Sequence, residues 1–92
     1  MTAKRTSGKR RVRFQMKAPR ESSVYVAGTF NGWNARQKKL RFKNGVHGID
    51  LLLPKGRYEY KFIVDGAWCV DPQCPDWTPN TLGSLNSVVE IE

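Results

Sequence analysis

Between Arg10 and Lys17 the chain alternates in character. Val12, Phe14 and Met16 point one way, and Arg11, Arg13, Gln15 and Lys17 the other. A period of two predicts a strand with one buried face and one basic, solvated face. Pro19 ends it, since proline has no N–H to give to a ladder. Ser23 to Gly28 is a second strand, with Val24 and Val26 inward and Tyr25 outward. The segment Thr29-Phe30-Asn31-Gly32-Trp33-Asn34 then turns the chain. Asn-Gly suits positive φ there and thrusts Trp33 outward. Leu40 and Phe42 mark a third short strand ending at Asn44-Gly45, and Val46 to Leu53 a fourth, closed by Pro54-Lys55-Gly56.

The clearest alternation runs from Arg57 to Asp65: Tyr58, Tyr60, Phe62 and Val64 on one side, Glu59, Lys61 and Ile63 on the other. Asp65-Gly66 is a two-residue hairpin signal that pairs Val64 with Ala67 and Ile63 with Trp68, and Ala67 to Val70 returns. In that register Lys61 lies diagonally from Trp68 on the outer face. Residues 71–81 contain three prolines and read as irregular loop, and Ser87 to Ile91 is the last strand. Seven short strands joined by frequent turns predict an all-β, immunoglobulin-like antiparallel β-sandwich. No stretch has sustained helical periodicity.

Length and charge narrow this further. The 92 residues allow one domain with a thin core. Net charge is +8, but residues 1–20 hold eight basic side chains and no acid, whereas the remainder holds eight of each sign. Residues 1–9 read as a basic, flexible leader ahead of a domain over residues 10–92. Half of that charge belongs to the solvent face of the first strand, which argues against nucleic acid as partner. No run of eighteen apolar residues is present and no signal peptide is seen, so no membrane span is expected and the cytoplasm is the default location.

The chemistry on offer is sparse. His47 is the only histidine, and Cys69 and Cys74 are too few for a zinc site or a disulfide scaffold, so no cofactor or metal is expected. A bridge between the two cysteines is geometrically possible, but a cytosolic setting favours thiols. No nucleophile motif or paired carboxylates suggest an enzyme. The tryptophans are the oddity: Trp33 sits beside a turn, Trp68 just after one, and Trp77 in the proline-rich loop. Trp77 is expected to lid one end of the core. Trp33 and Trp68 instead suit a stacking platform for a ring-shaped ligand, with the Lys61 ammonium in reach.

Four blocks in register carry a resemblance: Val24 to Asn34, Leu53-Pro54-Lys55-Gly56, Tyr58 to Trp68 followed by Asp71-Pro72, and Leu82 to Val89. Together they closely resemble carbohydrate-binding module family 48, as in the glycogen-binding domain of the AMP-activated protein kinase beta subunit. The same fold occurs at the N-terminus of isoamylase and branching enzymes. The resemblance implies an early-set sandwich that binds α-1,4-linked glucan (glycogen, starch or maltooligosaccharide) without chemistry. By position it implies stacking on Trp33 and Trp68, hydrogen bonds from Lys61 and Asn86, a wedge from Leu82 and a hydroxyl from Ser84. Asn31 more naturally holds the turn than touches sugar, and Asp65-Gly66 and Asp71-Pro72 are structural. The basic leader, Cys69, Cys74 and Trp77 stand outside the motif. The alternative is a regulatory or scaffolding domain that docks a partner protein, such as a glycogen-metabolising enzyme or a kinase, with little glucan affinity.

Overall fold

The computed structural model describes residues 9–80 and 82–92. Nine strands form it: β1 (Lys9–Met16), β2 (Val24–Gly28), β3 (Lys38–Lys39), β4 (Arg41–Lys43), β5 (Val46–Pro54), β6 (Gly56–Val64), β7 (Ala67–Cys69), β8 (Trp77–Pro79) and β9 (Leu85–Ile91). A three-stranded sheet of order β1-β5-β4 faces a six-stranded sheet of order β3-β2-β6-β9-β8, with β7 also paired to β6. All pairings are antiparallel. The fold is the all-β sandwich that the alternation predicts. Residues 1–8, most of the expected basic leader, lie outside the described residues, and β1 already begins at Lys9.

The core draws on both sheets: Phe14, Met16 and Leu53 from one, Val24, Val26, Tyr60 and Phe62 from the other. Phe14 meets Tyr60 edge-on at 4.9 Å, and Tyr60 meets Phe62 at 5.8 Å, the geometry that ring quadrupoles favour. Phe30, in the turn after β2, reaches Phe14 at 5.6 Å and so ties that turn to the core.

Two strands exceed the seven expected. Leu40, 2 % exposed, interrupts what reads as one strand, because there the chain crosses from the larger sheet to the smaller. The 71–81 segment is not wholly irregular. Trp77–Pro79 pairs with β9 as an edge strand, where Pro79 at its end leaves no central ladder bond unmade. Trp77 is therefore no core lid. It is 56 % exposed, since a sheet of three strands does not extend over the outer edge of one of six.

Turn chemistry falls where Asn-Gly and Asp-Gly place it. Asn44 and Gly45 have φ of 53° and 87°, and Asp65 and Gly66 have 48° and 88°. The Asp71 loop is fastened from inside. Tyr60 Oη donates to Asp71 Oδ2 at 2.7 Å and the Asp71 N–H donates to Ser87 Oγ at 2.8 Å. Burial first, and the Asp71 carboxylate second, hold the Tyr60 phenol far more firmly protonated than usual. Both cysteines are free thiols, and Cys74 Sγ donates to the Val88 carbonyl at 3.1 Å.

Candidate functional site

Strand β6 changes partner along one edge. Gly56 to Tyr60 pair with β9, while Phe62 to Val64 pair with β7. Lys61 falls at the change-over, opposite Ala27 on the other flank. The predicted hairpin register, Val64 with Ala67 and Ile63 with Trp68, is the one observed. Ile63 shares the outer face with Lys61 yet is only 5 % exposed, because its cross-strand neighbours are the large rings of Tyr25 and Trp68.

Over this junction lies an open groove of about 830 Å³. It brings together all six residues singled out in the sequence: Trp33, Lys61, Trp68, Leu82, Ser84 and Asn86. Thr29, Glu59, Pro79 and Asn80 complete the lining. The indoles of Trp33 and Trp68 stand 6.5 Å apart between centroids with planes inclined by 45°. Trp68 is 47 % exposed and Leu82 is 89 % exposed. Large apolar side chains held in water beside one another mark a surface built for contact.

The turn aims Trp33. Gly32 and Trp33 both have positive φ, 65° and 61°, a region that a bulky residue enters only when its surroundings hold it there. Asn31 does the holding. Its Oδ1 accepts from the Gly28 N–H at 3.1 Å, its Nδ2 donates to the Asn34 carbonyl at 3.1 Å, and the Trp33 N–H donates to Gly28 O at 2.9 Å.

A polar chain runs down the opposite wall. Asn80 Oδ1 accepts from the N–H groups of Leu82 (2.9 Å) and Ser84 (3.1 Å), and Gly83 closes that turn with a φ of 81°. Asn80 Nδ2 donates to Asn86 Oδ1 at 3.0 Å, and Asn86 Nδ2 donates to Glu59 Oε1 at 3.0 Å. Glu59 Oε2 accepts from Arg57 at 3.1 Å. Asn86 is 5 % exposed with both ends of its carboxamide engaged, which leaves one of its two amide hydrogens outside these bonds. The Lys61 ammonium donates to Ser84 Oγ at 2.8 Å, which brings two hydrogen-bonding groups to one point of the rim.

Glu59 and Asn80 escaped the sequence reading. Glu59 was legible from its place two residues before Lys61 on the same face. Asn80 is legible only as an asparagine suited to turns, inside a segment whose three prolines read as irregular loop. Asn80→Ala unties the Leu82 and Ser84 amides at once. If this groove binds the ligand, the substitution is expected to lower ligand retention about three- to tenfold while costing about 1–2 kcal/mol of stability. Affinity electrophoresis beside a urea titration separates the two effects.

The Asn86 amide, ahead of the Arg57 guanidinium and against the opposing effect of burial, holds the Glu59 carboxyl below its ordinary value of 4.5. The folded chain therefore binds this proton less readily than the unfolded chain. The stabilisation is complete above the unfolded value and is lost as pH falls through the folded one. Glu59→Gln is expected to flatten the decline of stability below pH 4.5, read as urea midpoints against pH.

Among the described residues no three His, Cys, Asp or Glu side chains group as metal ligands, and no helix is long and apolar enough to cross a membrane. Fold and groove together define a small ligand-binding β-sandwich. Residues 10–92 match the family described as the glycogen recognition site of AMP-activated protein kinase, and the chain belongs to that carbohydrate-binding family. It is 38 % identical over 69 residues to 5'-AMP-activated protein kinase subunit beta-1 of Sus scrofa, covering 75 % of this chain and 54 % of that one. The human beta-2 subunit is 36 % identical over 69 residues, 75 % of this chain and 25 % of its own length. Protein PTST homolog 2, chloroplastic, of Arabidopsis thaliana is 48 % identical over 54 residues, 59 % of this chain and 10 % of its own. The chain thus spans between a tenth and about half of these relatives.

Proposed function

We propose that this chain is a non-catalytic module that binds α-1,4-linked glucans such as glycogen, starch or maltooligosaccharides in the groove over β6. The observation that carries this reading is the pair of indoles on one outer face, inclined to each other at 45°. Flat aromatic faces suit the apolar C–H faces of sugar rings, and inclined faces suit a chain whose successive rings turn, as in a helical glucan. Lys61, Ser84 and the remaining Asn86 amide hydrogen meet hydroxyls at the rim, and Leu82 wedges against the sugar.

Magnitudes set the expected strength. Two indoles covering about 100 Å² each contribute about 5 kcal/mol and three or four hydrogen bonds about 3–4, against an association cost of at least about 4. The surplus of about 4–5 kcal/mol corresponds to a Kd from about 1 mM to a few hundred micromolar for a short oligosaccharide. A polymer with overlapping sites holds the module more tightly.

The module's task is to bring a larger assembly, a kinase or a glucan-metabolising enzyme, onto the polysaccharide. A reducing compartment, cytoplasm or plastid, suits its two thiols. Electrophoresis through gels containing glycogen, amylopectin or a β-glucan tests the binding. Retardation in the α-linked gels alone is expected, and equal mobility in all three overturns the reading.

A further inference from the structure

A second concavity, of about 1130 Å³, lies away from the groove, where the chain passes between sheets. Six lysines and arginines and two carboxylates line it, and it shares no lining residue with the glucan groove. Arg13 is paired with Asp50 at 3.1 Å. Arg20, Lys38, Lys39, Arg41 and Lys43 have no carboxylate partner among the described residues. Five cations against the single Glu21 carboxylate around one hollow raise the local potential and favour an anionic visitor.

The backbone sharpens the choice of visitor. β3 is the outer strand of the larger sheet and β4 the outer strand of the smaller, with only Leu40 between them. Two open strand edges therefore meet at the hollow, and open edges take an added extended strand. Lysines on such an edge repel a second copy of the same edge and admit an acidic chain. Nucleic acid fits less well. Phe42 is the one Phe, Tyr or Trp in the lining, and the Arg20 guanidinium already lies 5.8 Å over its ring, so the hollow offers no run of stacking faces to successive bases. A flat anionic membrane meets the rim of a hollow rather than its lining.

We propose that the hollow between β3 and β4 docks an acidic, extended segment of a partner protein. The site is independent of the glucan groove, so one chain can hold polysaccharide and partner together.

The test uses a fluorescein-labelled peptide alternating Glu and Val, with fluorescence anisotropy on the full chain. Lys39→Ser, Arg41→Ser and Lys43→Ser combined replace three exposed cations. The triple variant is expected to bind the peptide at least about tenfold more weakly, with glycogen retention and melting temperature unchanged. A backbone N-methylated copy of the peptide is expected to bind more weakly than the parent. Lys4→Ser with Arg5→Ser is expected to leave binding within about twofold. Equal binding by the triple variant, loss in the Lys4/Arg5 variant instead, or no effect of N-methylation overturns the proposal. So does tighter binding of duplex DNA or of phosphatidylserine vesicles than of the peptide.

Discussion

Trp68→Ala is expected to lower retention on glycogen or amylose at least tenfold while the sandwich stays folded. The indole lies on a three-residue strand that pairs only with β6, and 47 % of it is exposed. Its removal opens no core cavity, but it uncovers Ile63 and gives up the Trp33 contact, which costs the fold about 1–2 kcal/mol. The loss to binding is larger. About 100 Å² of apolar contact at about 25 cal/mol/Å² is about 2.5 kcal/mol, and even half of that approaches a tenfold change. On the proposed reading Trp33 stacks on the same glucan, and its ring touches the Trp68 site at 6.5 Å, so the two substitutions together are expected to cost other than the sum of each. Affinity electrophoresis gives the retention and a thermal melt gives the fold. Undiminished retention by a folded Trp68→Ala chain moves the glucan site elsewhere on the molecule.

Gly28→Ala carries the largest expected loss of stability. A Cβ at this position collides with the Glu59 carbonyl oxygen and stands 2.8 Å from the Phe30 ring and 2.9 Å from Tyr60 Cβ. Backbone and core ring hold it from several directions, and none of them is a flexible tip that swings away. Forced repacking of this kind costs about 2–4 kcal/mol, and in a domain this small lowers Tm by ten degrees or more. The Asn31 clamp and the Trp33 amide both bond to Gly28, so glucan retention is expected to fall with it. Gly45→Ala is the control. It sits in a hairpin turn, at φ of 87°, where an added Cβ meets nothing within 4 Å, and only the backbone strain of about 1–2 kcal/mol remains. Equal urea midpoints for the two variants refute tight packing at Gly28.

The regular parts of the fold were open to the sequence because alternation and turn chemistry are local. Arg57 to Asp65 states its own two faces, and Asp65-Gly66 dictates the register that sets Ile63 opposite Trp68. The gathering of Trp33, Lys61, Trp68 and Leu82 into one groove was open by a different route, a resemblance carried by four blocks, since side chains 35 positions apart leave no local trace of their meeting. What stayed hidden was decided by distant partners. β8 exists because β9 offers its edge, and nothing within residues 71–81 announces that. Trp77 is exposed because the two sheets differ in width, a property of the assembly. The engagement of Asn86 depends on Asn80 and Glu59 arriving from two other segments.

The two rows of β6 have opposite duties: Tyr60 and Phe62 sit in the core, while Glu59 and Lys61 line the groove. Inserting or deleting one residue within that strand trades the rows, sending a lysine into the interior and a tyrosine to the groove. Evolution can therefore recolour the groove by point changes that leave the core row untouched. The span from Gly56 to Val64 has a fixed length, and homologous recombination within it has to keep the reading of its nine residues in phase.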